Sequence, residues 1–193
     1  YKKRGDLKGC RGLIAGRVDI DKRPAIVEAK NRLGDMEIDL IIGQNHKGAL
    51  LTINDRSTGC LFMSKIDSKE ASTVESETIA LLQDWKFLIK TITSDNGKEF
   101  ANHREIAESL QIDYYFAKPY HSWERGANEN LNGLVRQYFP KNTSFANITN
   151  TEVENVVNIL NNRPSKRFGY KTPNEIFAQK LNDLNEVAFI TWI

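Results

Sequence analysis

Three carboxylates stand apart from the other acids of the chain because of where they fall. Asp39 lies inside an alternating apolar run, Asp95 opens an Asp95-Asn96-Gly97 turn after a β-rich run, and Glu129 begins a helical pattern. Asp95 and Glu129 have 33 residues between them. Taken singly, each acid fits a turn or a surface position. Taken together they fit a cluster carrying about three negative charges, which would repel itself if left bare. Hard divalent cations relieve that repulsion, and oxygen-only ligation selects Mg2+ or Mn2+. Two such ions roughly 3.5 to 4 Å apart activate an attacking oxygen and stabilise a leaving one in phosphoryl transfer.

Such a cluster forms only if the chain brings distant elements together. From Gly34, Met36, Ile38, Leu40 and Ile42 alternate with Glu37, Asp39 and Ile41, which predicts a strand with an acidic opposite face. Ala49 to Ile53 and Cys60 to Ile66 predict two more strands, and the Asn54–Gly59 stretch between them has hairpin-turn composition. These three make an antiparallel meander. Asp67 or Ser68 offers an N-cap to a helix from Lys69 to about Gln83. Phe87 to Thr93 predicts a fourth strand, Lys98 to Leu110 a helix, and Ile112 to Ala117 a fifth strand. Pro119 to Gly126 reads as a loop, followed by a long helix to about Phe139 and an amphipathic one from Asn150 to Asn161. The order predicts an α/β fold, a five-stranded mixed sheet with helices packed on it. Strands one and four can be neighbours, the long helix can cross them, and Asp95 then sits where open α/β sheets place ligands.

Composition narrows the class. A length of 193 residues suits one domain or one domain with an arm, and 40% hydrophobic with 27% charged residues excludes a disordered tail or a fibrous repeat. No apolar run approaches the roughly 18 to 20 residues needed to span a bilayer, and no apolar stretch follows the basic N-terminus as in a secretory leader. Cys10 and Cys60 lack metal or disulfide-framework spacing, which predicts reduced thiols and a cytoplasmic setting. The chain opens on Tyr1 rather than Met, which predicts that an upstream part precedes it. Residues 1–34 hold ten Lys/Arg against four Asp/Glu, whereas the remainder holds 17 against 21. That asymmetry predicts a basic arm on a mildly acidic body, an arrangement suited to gripping phosphate backbones.

Glu129 and Arg136 lie two turns apart on one face of the long helix, with Gly133 between them leaving room for a DNA backbone. Leu131, Leu134, Val135 and Tyr138 are expected to face the core. Lys118 stands before the loop, and Arg163, Lys166, Arg167 and Lys171 form an acid-free cluster interleaved with Phe168 and Tyr170, a composition that suits phosphate contact and base stacking. A solvated surface patch has the same composition. Trp123 is expected to pack. His46, His103 and His121 are expected to have no catalytic part, since metal-assisted phosphoryl transfer needs no imidazole base. Glu37 and Glu99 read either as supports of the acid cluster or as exposed acids.

The runs Gly34-Asp35-Met36-Glu37-Ile38-Asp39, Thr93-Ser94-Asp95-Asn96-Gly97-Lys98-Glu99-Phe100 and Ser122-Trp123-Glu124-Arg125-Gly126-Ala127-Asn128-Glu129-Asn130 resemble the catalytic core of DDE transposases and retroviral integrases. Within that superfamily the chain is most similar to bacterial insertion-sequence transposases of the Asp-Asp-(33)-Glu type. Arg136 stands where the family carries a basic residue, and Asn161-Asn162-Arg163-Pro164 and Lys171-Thr172-Pro173-Asn174-Glu175-Ile176-Phe177 match its C-terminal pattern. The likeness covers roughly residues 17–178. It departs at Ile38, where the family usually has Gly, and at Leu131, where it often has Thr.

The resemblance implies a ribonuclease H-like fold, a two-metal Mg2+ or Mn2+ site on Asp39, Asp95 and Glu129, and DNA contacts by Lys118, Arg136, Arg163, Lys166, Arg167 and Lys171. It further implies DNA cleavage and strand transfer at transposon ends, a homo-oligomer in a synaptic complex, no membrane, and an upstream DNA-recognition region, typically helix-turn-helix. Alternatives are a ribonuclease H-like nuclease that does not join ends, and an inactive DNA-binding remnant. The expected organisation is a basic arm or linker over 1–33, a catalytic core over 34–178 and a tail over 179–193.

Overall fold

The computed structural model describes residues 14–118 and 126–190. Cys10, His121, Trp123, the loop expected over 119–125 and the first thirteen residues of the expected arm lie outside them. The elements run α1 (Ala25–Glu28), β1 (Asp35–Ile42), β2 (Ala49–Asp55), β3 (Leu61–Ile66), α2 (Ala71–Leu82), β4 (Thr91–Ser94), α3 (His103–Leu110), β5 (Asp113–Phe116), α4 (Gly126–Tyr138), α5 (Asn150–Asn161) and α6 (Pro173–Ile190). The strands form one mixed sheet ordered β3-β2-β1-β4-β5. β1, β2 and β3 are antiparallel, whereas β1–β4 and β4–β5 are parallel. This is the expected α/β architecture, with the predicted meander at one edge.

Regular pleating sorts β1 onto two faces. Met36 and Ile38 join Leu51, Ile53, Val74, Leu82, Ile106 and Leu110 in a core under α2 and α3. Ile41 on the other face joins Leu50, Leu131, Val135, Val156 and Leu160 under α4 and α5. Asp39 has the parity of Ile41, so its strand presents it towards α4. Leu131, Val135 and Phe139 recur at four-residue spacing and are buried. Tyr138, expected in the core, is instead 40% exposed, because Phe139 continues that row.

Other boundaries shift for local reasons. α2 begins at Ala71 with Glu70 at its N-cap; Ser68 Oγ accepts from the Glu70 N–H at 3.1 Å and so shapes the turn before the helix rather than capping it. The predicted fourth strand shortens to β4, since Leu88 N–H bonds back to Trp85 O at 2.8 Å and Phe87 points to solvent. Residues 98–100 form a single 3-10 turn ahead of α3. α6 was not visible in the sequence pattern. Phe177 and Leu181, one turn apart, bury against Leu33, Cys60 and Leu88, while Asn174, Glu175, Gln179, Asn182 and Asp183 are exposed.

Within the stretch read as an arm, residues from Ile14 onward pack on the body. Ile20, Val27 and Leu33 are buried, and Asp19 bridges Phe116 in parallel at the β5 edge. Their spacing has neither helical nor strand period, which is why the pattern read as a linker. No helix among the described residues is long and apolar enough to cross a membrane. Cys60 is free and buried.

Candidate active site

β1 and β4 run side by side only as far as the pair Glu37–Thr93. Beyond it β1 stays with β2 through Ile42, whereas β4 ends at Ser94. Asp39 and Asp95 each stand two residues past that last pair, at the point where the two parallel strands part. Asp95 is fixed by the turn that follows, its Oδ1 accepting the Gly97 N–H at 2.8 Å. A Cβ at Gly97 would collide with the Glu99 carboxylate, so the glycine makes room for a half-buried acid beside Asp95. Asp39 Oδ2 accepts from the side-chain amide of Asn132 at 2.9 Å, and Thr52 Oγ1 donates to Asn132 Oδ1 at 3.3 Å and lies near the Asp39 carbonyl at 3.2 Å. Asn132 follows Glu129 by three residues and shares its helix face. Glu129 is exposed in the first turn of α4.

The donor atoms these acids offer are all oxygen, as a hard cation requires. Among the described residues, however, no three His, Cys, Asp or Glu side chains are gathered closely enough to hold a metal ion. Asp39 and Asp95 follow the last β1–β4 pair at matching positions, and the helix that carries Glu129 is bonded to Asp39 through Asn132.

Beneath them lies a buried polar cluster. Glu37 is fully buried, accepts the Asn128 N–H at 3.1 Å and faces Arg56 Nη1 at 3.2 Å. Arg56 is itself 2% exposed and also pairs with Glu28, which holds Arg23 as well. Arg23 donates to Thr93 Oγ1 at 2.9 Å. The cluster therefore touches the residue two before Asp39, the residue two before Asp95 and the residue one before Glu129. Burial raises the Glu37 carboxyl above the usual carboxylate range, opposed by Arg56, the Asn128 N–H and Arg23. Burial likewise lowers Arg23. Sequence reasoning left Glu37 open between support and exposed acid; its parity with Asp39, away from Met36 and Ile38, was the available signal. Asn132, Arg56 and Asn128 were missed, and nothing in their local spacing marks them.

The basic candidates divide. Lys118 pairs with Asp21 at 2.6 Å near the surface. Arg136 donates to the carbonyls of Ile42 at 2.8 Å, Pro140 at 3.4 Å and Phe139 at 3.5 Å, and lies over the Phe145 ring, so its fork ties the end of α4 to the end of β1. Gly133 is exposed, and a Cβ there would meet nothing within 4 Å. Arg163, Lys166, Arg167 and Lys171 are all exposed on the loop between α5 and α6. Within it Arg167 donates to Arg56 O at 2.8 Å and stacks on Phe168, while Lys171 meets Gln179 at 3.1 Å. Of the histidines, His103 is buried between the Tyr114 and Phe116 rings as a packing group.

No family model matches the chain. Individual relatives do. The chain is 59% identical over 189 residues to the transposase for insertion sequence element IS4351 of Bacteroides fragilis, covering 98% of the chain and 58% of that protein. It is 37% identical over 182 residues to transposase InsI for IS30A of Escherichia coli K12, covering 93% of the chain and 47% of that protein. The chain thus spans about half the length of the curated relatives it matches. Among solved structures it resembles the catalytic core domain of BIV integrase, with a TM-score of 0.60 and 19% identity over 78% of this chain and 97% of that one. It also resembles a chain of a simian T-cell lymphotropic virus intasome, with a TM-score of 0.60, 16% identity and coverage of 75% of this chain and 54% of that one. Those two likenesses show the fold, that of the integrase catalytic core, which is ribonuclease H-like. Identity at this level across nearly the whole chain makes it a member of the IS4351/IS30 family of insertion-sequence transposases.

Proposed function

We propose that the chain is the catalytic core of a DNA transposase that cuts DNA at the ends of its element and joins the freed 3′-hydroxyl to target DNA. The observation that carries this reading is the placement of Asp39 and Asp95 at equivalent positions where β1 and β4 part, with the Glu129 helix bonded to Asp39 through Asn132. Water attacks phosphorus first and the 3′-hydroxyl attacks second, each breaking one P–O bond as it forms another. Asp39, Asp95 and Glu129 would hold Mg2+ or Mn2+, which supplies activation of the attacking oxygen and neutralisation of charge at phosphorus. Asn132 aims the Asp39 carboxylate, the Gly97 N–H aims Asp95, and the buried Glu37–Arg56–Arg23 cluster fixes the three backbones that carry the acids.

Arg163, Lys166, Arg167 and Lys171 would grip DNA phosphates, with Lys118 and Arg136 at the margins of the site. Two or more copies would hold the paired transposon ends in a synaptic complex, in the cytoplasm with their DNA. The test is to incubate the full-length protein with Mn2+ and labelled DNA carrying the element ends. Nicks at the ends together with joined products are expected. Nicks without joining would replace the reading with a nuclease, and no metal-dependent product at all would overturn it.

A further inference from the structure

On the side of α4 towards the basic loop is a cavity of about 290 Å3. Its wall is formed by Leu131 and Leu134 of α4, its rim by Arg163, Lys166 and Arg167, and Phe168 closes one side. Asn54 of β2 also lines it; this residue is 2% exposed, yet its side-chain carbonyl oxygen has no hydrogen-bond partner. A buried polar atom left unpaired is costly unless something else supplies a donor.

The cavity is built rather than incidental. The loop that rims it is closed on itself by Ser165 N–H to Lys171 O at 3.0 Å and Tyr170 N–H to Ser165 O at 2.9 Å. It is anchored just upstream, where the buried amide of Asn161 both donates to Leu61 O at 2.9 Å and accepts from Leu61 N–H at 2.8 Å. Phe168 is held over Gly59, whose φ of +72° no β-branched residue would adopt easily, and a Cβ there would already touch the ring.

We infer that this cavity receives one unpaired base of the DNA strand, with the adjoining phosphate on Arg163 and Lys166. Apolar walls and an aromatic ring offer a base its faces to pack on, the Asn54 carbonyl offers an acceptor for an exocyclic amino group, and the cationic rim matches a phosphodiester. The volume lies just below the roughly 300 to 1,000 Å3 of sites for drug-sized ligands, which suits a single heterocycle and excludes a duplex. Asn130, Leu131 and Leu134 put the cavity on the flank of α4 away from Asn132 and Asp39, so the nucleotide held there is not the one being cut. This assignment rests on the reading of the chain as a DNA transposase core and adds how the strand is held.

The test compares binding of two fluorescent strands of about twelve units by the chain, one of deoxyadenylate and one with the same backbone but no bases. The wild-type chain is expected to prefer the base-bearing strand by about tenfold, in the range that one stacked base contributes. Leu134→Trp, which fills the cavity, and Phe168→Ala, which opens it, are each expected to bring the two affinities within about twofold. The affinity for the baseless strand is expected to be unchanged in Leu134→Trp, and lowered equally for both strands wherever Phe168→Ala loosens Arg167. A folded variant of either kind that keeps the full preference would overturn the assignment, as would equal binding of both strands by the wild type. Failure to bind either strand would instead remove the transposase reading on which the assignment rests, and the assignment with it.

Discussion

The side-chain amide of Asn132 donates to Oδ2 of Asp39 at 2.9 Å, and this bond ties the helix that carries Glu129 to the strand that carries the first acid. Asn132 is half-buried and contributes little apolar area, so its value lies in aim. Asn132→Ala is expected to cost less than about 1 kcal/mol of stability, the loss of one hydrogen bond offset by the better helix propensity of Ala. DNA nicking is expected to fall by about tenfold or more, because small misplacement of a reacting group is expensive. A denaturant melt beside a cleavage assay reads both. Equal losses in the two would make Asn132 a packing residue only.

The pairing of Arg56 with Glu37 predicts the opposite balance. Both side chains are buried, so Arg56→Met strands the Glu37 carboxylate and is expected to cost about 3 to 5 kcal/mol. Adding Glu37→Gln removes the stranded charge and is expected to recover part of that loss, giving clear non-additivity in a double-mutant cycle by urea unfolding. Strictly additive losses would mean the two groups do not interact.

That cluster also marks the limit of what the sequence disclosed. The five strands and the meander were readable because alternation in β1 and the turn after β4 are local signals, whereas the grouping of Asp39, Asp95 and Glu129 rested on resemblance to a family. Even the facing of Asp39 towards α4 followed from its parity against Met36 and Ile38. Arg23, Arg56 and Asn128 come from three separate stretches that meet only after the sheet has closed, and a buried arginine has no local signature. The packing of Ile20, Val27 and Leu33 was hidden for the same reason, since irregular backbone buries apolar residues without a period. In α6, Phe177 and Leu181 were too sparse a stripe to mark a helix. Arg136 shares a helix face with Glu129 as its spacing required, but spacing alone did not show that its guanidinium reaches the Ile42 carbonyl.

Cys60 predicts an alkaline limit to stability. Burial pushes its thiol up to about 12 from the ordinary 9.0, with Asp55 adding to the rise. A raised folded pKa means the contribution is complete below about pH 9 and is lost as pH climbs towards 12, because the unfolded chain releases the proton first. At pH 8, modification of Cys60 by a thiol reagent in a Cys10→Ser background is expected to proceed only at the rate of unfolding. Rapid labelling of the folded chain would contradict the burial.

The basic loop predicts a salt effect. Arg163 and Lys166 are exposed and each is expected to release about one counterion on binding DNA. Arg163→Gln with Lys166→Gln should therefore lower the slope of log affinity against log salt by about two and weaken all sequences alike. Arg167 differs, because its guanidinium also braces the Arg56 carbonyl. An unchanged slope in the double variant would leave the loop a solvated surface.

Glu129 decides whether these acids form the working site. The side chain is exposed on the first turn of α4, on the helix face that Asn132 holds to Asp39. Glu129→Gln keeps the shape, removes one negative charge and deletes a metal ligand. Paired thermal melts with and without Mn2+, run beside a DNA cleavage assay, are the most direct measurement. The Gln variant is expected to melt at or slightly above the wild type without metal, and to gain less from added Mn2+, since a ligand stabilises only through its affinity for the native state. Nicking and strand transfer should fall below detection while DNA binding stays near normal. A Gln variant that still cuts DNA, or that gains as much from Mn2+ as the wild type, would contradict the assignment of Glu129 as the third acid.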